Sequence, residues 1–296
     1  MALWLVSLVF ALVSALDQCP YCKPNTLCPK HLEKEQTVLR DTKKALQSNV
    51  PAERSAALVE IASLNDEHVN APSKRVAETL AQSLDDETPS VRQVAADLLA
   101  ESRRPDVAIP ELSRVVDASC SEALKNRSGG AGRGNMRSTG DLSDRDRRAE
   151  EIRRSFVDVS GALARLKDDR SVRMLVETFE RYSALGIDDP SAKLAGQLAS
   201  LGTRNAIAPI VDAIDKNEKK FFDAQQARKP TPPEVAFLES LHVALISFAE
   251  SRRLGGAPEW KPDVGARWRA WIKKNADSIP KSLGTLEVGA AKPSKG

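Results

Sequence analysis

The chain has 296 residues, and 41% of them are hydrophobic, which is enough to bury a substantial core. Only 4% are aromatic, so alanine and leucine must fill most of that core, as in closely packed helices. The 44 basic and 41 acidic residues give a net charge of +3, which is too close to neutrality to predict nucleic acid or an anionic membrane as a partner.

The amino-terminal 15 residues resemble a secretory signal peptide. The run Leu3–Val13 is apolar except for Ser7, and residues 13–15 (Val-Ser-Ala) suit the positions that a signal peptidase recognises. The run is shorter than the roughly 20 residues of a membrane span. We predict cleavage after Ala15, export to the periplasm or beyond, and no membrane span in the mature protein. An uncleaved anchor and a buried first helix are the alternatives, because no Lys or Arg precedes the run.

A cysteine-rich segment follows over residues 16–34. Its spacing is Cys-x2-Cys-x5-Cys-x2-His, formed by Cys19, Cys22, Cys28 and His31. These four side chains could bind zinc tetrahedrally. In an exported protein the same thiols, together with the distant Cys120, could instead form two disulfides. Cys-Pro-Tyr-Cys is also similar to the redox pair of glutaredoxins, but the strand–helix–strand pattern of that chemistry is missing. The segment is predicted to hold zinc, disulfides or neither.

A first region of helical periodicity covers residues 35–118. A first helix is predicted over Leu32–Ser48, because leucine recurs every seven residues at Leu32, Leu39 and Leu46. The stretch Val50–Ile61 is then echoed by Thr88–Leu99 at an offset of 38 positions, with proline on proline and arginine on arginine. The echo predicts repeated helical units.

Several prolines are predicted to mark the starts of helices. Four prolines are predicted to begin a helix, where the missing N–H costs nothing: Pro51, Pro89, Pro190 and Pro232. Three preceding residues are predicted to cap exposed amides: Thr88, Asp189 and Thr231. Two further prolines, Pro110 and Pro209, are predicted to open the second helix of a pair.

A second repeat region covers residues 150–251. Here Gly161–Phe179 is echoed by Gly196–Ile214, 35 positions later, and the apolar positions coincide. A period of this length is typical of a solenoid of stacked units, each too small to bury its own apolar face.

The repeated unit resembles HEAT repeats, as found in exported bacterial HEAT-like proteins. It consists of Pro-x-x-Arg-x-x-Ala, an Asp-rich turn, and Ala-Ile-Pro-x-Leu, and the resemblance covers roughly residues 49–116 and 150–216. The family pattern is kept at Arg54, Arg92 and Asp85-Asp86. The resemblance implies an all-α, right-handed α-solenoid of stacked antiparallel helix pairs, usually binding proteins or other large partners. The arginines and aspartates would tie one repeat to the next.

Three other segments lack that pattern. Residues 119–149 are rich in Gly, Ser and Arg, which is the composition of a disordered loop inserted into the array. A helix is predicted over Pro233–Glu250, and His242 beside its apolar stripe is interpreted as packing and not as a metal ligand. Residues 282–296 are predicted to form a disordered tail.

Three of the four tryptophans lie in residues 252–281, at Trp260, Trp268 and Trp271. The ending Trp-x-x-Trp-x3-Asn is similar to the one that closes HEAT-like arrays in some exported bacterial proteins. The tryptophans are interpreted either as a capping helix over the end of the stack or as an aromatic interaction patch for a partner. The cap is the preferred interpretation, since a solenoid needs its end covered.

No histidine, serine or carboxylate has the spacing of a known catalytic set, so the sequence does not predict an enzyme. The predicted function is that of an extracytoplasmic scaffold that mediates protein–protein interaction without a cofactor. The alternative is a metal- or thiol-based function of Cys19, Cys22, Cys28 and His31, with zinc as the metal.

Overall fold

The computed structural model describes residues 26–67, 71–128, 159–184, 188–232 and 235–286. All regular elements in these ranges are helical, and the ranges contain no strand. The all-α prediction is therefore confirmed for this part of the chain. The protein divides into an N-terminal unit, residues 1–111 with 286–296, and a C-terminal unit, residues 112–285. The predicted leader, Cys19 and Cys22 lie outside the described residues.

Among the described residues, five helices begin within the N-terminal unit: α1 (Pro29–Leu46), α2 (Pro51–Glu67), α3 (Lys74–Gln82), α4 (Pro89–Glu101) and α5 (Pro105–Ser128). A short 3₁₀ turn, Ser83–Asp85, extends α3. Helix α2 packs against α1, α3 and α4, and α3 also packs against α4. The core between them is aliphatic, with Leu58, Ile61, Leu80 and Leu99 fully buried.

Helix α1 differs from its prediction in both start and buried face. It begins at Pro29 because Cys28 is extended and proline suits the first helical position. Of the predicted leucine stripe, Leu32 is 40% exposed. The residues of α1 that are buried are Glu35 and Thr42. The Thr42 hydroxyl donates to the Val38 carbonyl at 2.7 Å, which satisfies it inside the helix.

Arg54 ties α2 to the turn that precedes α4. Its Nε and Nη2 donate to the two carboxylate oxygens of Asp86 at 2.8 and 2.9 Å, and Nη1 donates to the Ser48 carbonyl at 2.7 Å. Arg92 donates to the carbonyl of Asp86 at 2.7 Å. The Thr88 hydroxyl accepts from Arg54 and makes no cap hydrogen bond to α4, so its predicted capping role is wrong. The Thr88 N–H is instead bound by the Asp86 carboxylate.

The helices described in the C-terminal unit are α6 (described over 159–165), α7 (Asp169–Ala184), α8 (Asp188–Leu201), α9 (Arg204–Gln226), α10 (Leu238–Ser251) and α11 (Val264–Lys274). A 3₁₀ turn, Ala276–Ser278, follows α11. Helix α9 packs against α7, α8, α10 and α11, and α8 packs against α7, α9 and α10.

The 35-residue echo agrees with helix boundaries and burial. The first copy has a helix break after residue 165 and the second has one after Leu201. Five aligned pairs are buried in both copies: Leu163 and Leu198, Leu166 and Leu201, Val172 and Ile207, Leu175 and Ile210, Phe179 and Ile214. The same spacing of apolar residues therefore produces the same buried stripe twice.

Several prolines lie where the sequence placed them. Pro51 and Pro89 are the first residues of α2 and α4. Pro190 lies in the first turn of α8, which begins two residues earlier at Asp188. Asp189 is consequently inside that helix and does not precede it.

Three proline predictions are wrong. Pro110 and Pro209 lie inside α5 and α9, since Pro105 already starts α5 and the Thr203 hydroxyl caps α9 by accepting from the Ala206 N–H at 3.3 Å. Pro232 does not begin α10. Its carbonyl accepts from the Val235 N–H at 3.0 Å in a preceding turn, and the helix starts at Leu238.

The described residues extend into two of the segments that the sequence predicts to be disordered. Helix α5 continues to Ser128, so residues 119–128 of the predicted loop are helical, in keeping with their Glu-Ala-Leu-Lys run of good helix formers. The rest of that loop, residues 129–149, lies outside the described residues. At the other end, residues 282–286 of the predicted tail are described, and residues 287–296 are not.

The segment after α11 binds the starts of two helices. The Arg204 N–H donates to the Pro280 carbonyl at 2.9 Å. The Asp169 carboxylate accepts from the N–H groups of Leu283 and Gly284 at 2.9 and 3.1 Å. The first-turn N–H of Arg204 in α9 and the first-turn carboxylate of Asp169 in α7 are therefore hydrogen-bonded to this segment.

Within the described residues, none of the helices combines the length and the apolar composition that crossing a bilayer requires.

Candidate functional site

Two of the four predicted metal ligands meet at the start of α1. Cys28 immediately precedes the helix, and its Sγ lies 3.3 Å from Nδ1 of His31. The spacing of three residues brings the side chains together because the first helical turn begins between them: the N–H groups of His31 and Leu32 both bind the Cys28 carbonyl at 3.0 Å. Cys28 is buried, and His31 is half-buried.

This pair has the donor atoms of half a zinc site. A thiolate sulfur and an imidazole nitrogen are both ligands that zinc prefers. The described residues contain no group of three or more metal-ligating side chains. Cys19 and Cys22 are outside them, and so is the side chain of Cys120. Zinc and disulfides therefore both stay predictions.

The tryptophans form a second cluster, centred on the buried Trp268 of α11. Its indole N–H donates to Nδ1 of His242 in α10 at 3.0 Å, and its ring packs edge-on against Trp271 with centroids 5.2 Å apart. Because Nδ1 of His242 accepts, the neutral imidazole carries its proton on Nε2. Burial, with a smaller contribution from the charge of Arg267, lowers the pKa of His242. These contacts support the interpretation of His242 as packing.

Burial distinguishes the three tryptophans. Trp268 is fully buried and Trp271 is 6% exposed, with its indole N–H donating to the Gly255 carbonyl at 3.1 Å. Trp260 is half-buried and lies 5.2 Å from Phe221 and 5.0 Å from His242, measured between ring centroids. Trp268 and Trp271 thus belong to the core of the C-terminal unit. Their burial counts against an exposed aromatic patch at these two positions, and the capping helix stays a prediction.

Helix α11 lies close to the backbone of α9 at Gly265. A Cβ at this position would lie 2.6 Å from the backbone of Asp215, so only glycine fits without movement of α9. The Gly265 N–H donates to the buried Glu218 carboxylate at 2.8 Å. Burial raises the pKa of Glu218, although the hydrogen bond from Gly265 opposes that shift.

Further along the same two helices lies an open cleft of about 380 Å³, which we call the α9–α11 cleft. Its floor is aliphatic and includes Val211 and Ile272. Its charged lining residues are Arg204, Asp212, Arg269 and Lys273. A smaller cleft of about 250 Å³ in the N-terminal unit is lined by Glu78 and Glu111 among others.

The sequence did not single out the residues of the α9–α11 cleft. A signal was present in α11, where Arg269 and Lys273 are four residues apart and so share a helical face beside Ile272. The tryptophans of the same helix are the more conspicuous feature, because the chain is poor in aromatic residues.

No known protein family, curated protein or solved structure matches the chain. The HEAT-like identity therefore stays a prediction from the sequence motifs.

Proposed function

We propose that the protein is an extracytoplasmic helical-repeat scaffold that binds a protein partner. The observation that carries the proposal is the order of helix packing. In both units a helix packs on the next helix and on the next but one, as α8 does with α9 and α10. This order is expected when helix pairs stack, because one helix layer contains the odd-numbered and the other the even-numbered helices. Stacks of this kind present long, continuous surfaces to large partners.

Hydrogen-bonded ion pairs between helices of the same layer support the proposal. Arg54 joins α2 to the turn that leads into α4, and Arg269 of α11 donates to Asp212 of α9 at 2.9 Å. Such hydrogen bonds would fix the position of one helical repeat against the next. This is the role that the HEAT resemblance implies for Arg54 and Asp86. The architecture we propose, a right-handed α-solenoid with α11 as its capping helix, is the one that the HEAT resemblance implies.

The scaffold proposal is tested by cross-linking in the source cell. A C-terminally tagged full-length chain is expected in the extracytoplasmic fraction, cross-linked to one protein in an amount comparable to its own. The matched control is the same chain without residues 1–15, which should stay in the cytoplasm and lose this partner. A full-length chain that is cytoplasmic, or that cross-links to no protein in either form, would contradict the proposal.

A second candidate function is supported by the contact between Cys28 and His31. In this alternative the cysteine-rich segment holds zinc, with Cys19 and Cys22 as the other ligands. Purified full-length protein is then expected to contain about one equivalent of zinc, which His31→Ala should remove and Lys30→Ala should retain. Metal analysis and intact mass with thiol counting measure this. A protein free of zinc whose cysteines are all oxidised would instead establish disulfides.

A further inference from the structure

The lining of the α9–α11 cleft combines an aliphatic floor with an excess of positive charge. Of its four charged residues, three are cations and one, Asp212, is a carboxylate. The positive charge of Arg269 is compensated by two carboxylates of α9: Arg269 donates to Asp212 at 2.9 Å and lies 2.8 Å from the carboxylate of Asp215. These two carboxylates raise the pKa of Arg269, first through the hydrogen bond with Asp212.

The charges of the other two cations, Arg204 and Lys273, are not compensated in this way. Arg204 and Lys273 form no ion pair with any residue in the described ranges. Nε of Arg204 is buried and makes no hydrogen bond to a described residue, although its N–H is a strong donor. A buried donor of this kind costs free energy until an acceptor reaches it. The cleft therefore offers two unpaired positive charges beside an apolar surface.

The shape of the cleft indicates what size of ligand fits. Its volume of about 380 Å³ is at the lower end of small-molecule pockets, and it is more open than enclosed. An open cleft leaves most of a small ligand in water, whereas a peptide can insert one or two side chains and make further contacts outside. Two unpaired cations are too few for a polyanion such as a nucleic acid, whose binding needs many phosphate contacts.

We propose that the α9–α11 cleft binds an acidic peptide segment of the protein partner. A carboxylate of the segment pairs with Arg204 and Lys273, and a neighbouring aliphatic side chain packs against Val211 and Ile272. The inference rests on the proposed scaffold function and adds the chemistry of the partner and the place where it binds.

Site-specific photo-cross-linking tests the inference with the full-length chain in the source cell. A photo-reactive amino acid replaces Ala208, which is exposed and lines the cleft. We expect it to capture a protein, and mass spectrometry of the cross-linked peptide to show Asp or Glu next to an aliphatic residue. Adding Lys273→Glu should reduce the yield about fivefold or more, since reversing a rim charge opposes an acidic partner. The control Lys274→Glu changes the neighbouring exposed residue, which does not line the cleft, and should stay within about twofold.

The outcomes separate this inference from the scaffold proposal. Cross-linking of a protein by a general amine-reactive reagent, but not from position 208, would contradict binding at the α9–α11 cleft. It would leave the scaffold proposal intact. Absence of a protein partner in both experiments would overturn both. A captured peptide without carboxylates, a lipid or nucleic acid captured at position 208, or equal loss with Lys273→Glu and Lys274→Glu would overturn the acidic-peptide inference. Circular dichroism of both variants checks that they remain folded.

Discussion

Replacing Trp268 with alanine is expected to lower the free energy of unfolding of the C-terminal unit by about 4 kcal/mol. The indole is fully buried in α11 and packs against Trp271 and His242. Its removal leaves a large cavity between α10 and α11, and it leaves Nδ1 of His242 without its donor. Urea unfolding followed by far-ultraviolet circular dichroism measures the loss, because this signal reports helix content and not the indoles themselves.

Two further variants identify the origin of that loss. Trp268→Phe keeps an aromatic ring in the core but removes the indole N–H, so it should cost less, about 1–3 kcal/mol. Lys274→Ala, an exposed change on the same helix, should cost no more than about 0.5 kcal/mol. A Trp268→Ala variant as stable as Lys274→Ala would show that the indole is not part of the core. It would revive the interpretation of the tryptophans as an interaction patch.

Replacing Arg54 with alanine is expected to lower the melting temperature of the N-terminal unit by about 8 °C at neutral pH. Only 7% of the Arg54 side chain is exposed, and the replacement leaves the Asp86 carboxylate largely buried without its cation. It also removes the donors to the Ser48 carbonyl and the Thr88 hydroxyl. The control is Arg40→Ala: this arginine is 74% exposed beside Asp41, so its loss should leave the melting temperature nearly unchanged.

The Arg54 effect should also depend on pH. Burial alone would raise the pKa of Asp86, but hydrogen bonds from Arg54 and the Thr88 N–H, with the charges of Arg54 and Arg92, lower it below its ordinary value of 3.8. A depressed carboxyl pKa contributes stability above the unfolded-state pKa, and this contribution is lost as pH falls through the folded-state pKa. In Arg54→Ala the carboxylate is unpaired and protonates more readily. The difference in melting temperature should therefore be largest at neutral pH and shrink toward about pH 3. Calorimetry at both pH values checks this, and a difference independent of pH would contradict the role of Asp86.

Predictions based on local pattern agree best with the structure. Helix class and the starts of α2 and α4 depend on residues within one or two turns, because proline restricts its own φ and apolar spacing defines one helical face. The 35-residue echo likewise placed matching buried residues such as Phe179 and Ile214 on matching helices. Predictions failed where a local signal competed with another, as at Pro209, where the Thr203 cap starts the helix earlier.

The candidate sites were predictable only in part. The contact between Cys28 and His31 follows from their spacing at the start of a helix, so the sequence could indicate it. The α9–α11 cleft could not be predicted in the same way, because Arg204 and Lys273 come from different helices. Whether such charges lie near each other depends on how α11 packs on α9, and the close contact at Gly265 is one part of that packing.

By itself, the sequence determined that the described part of this protein is helical, where several of its helices begin, and which apolar positions recur. These properties arise between residues close together in the chain. Only the tertiary structure decided that Arg54 reaches Asp86 and that Trp268 donates to His242. It also decided that Asp169 binds the backbone at Gly284 and that a charged cleft opens between α9 and α11. These partners lie dozens of residues apart, and their contact depends on the packing of whole helices and not on local spacing.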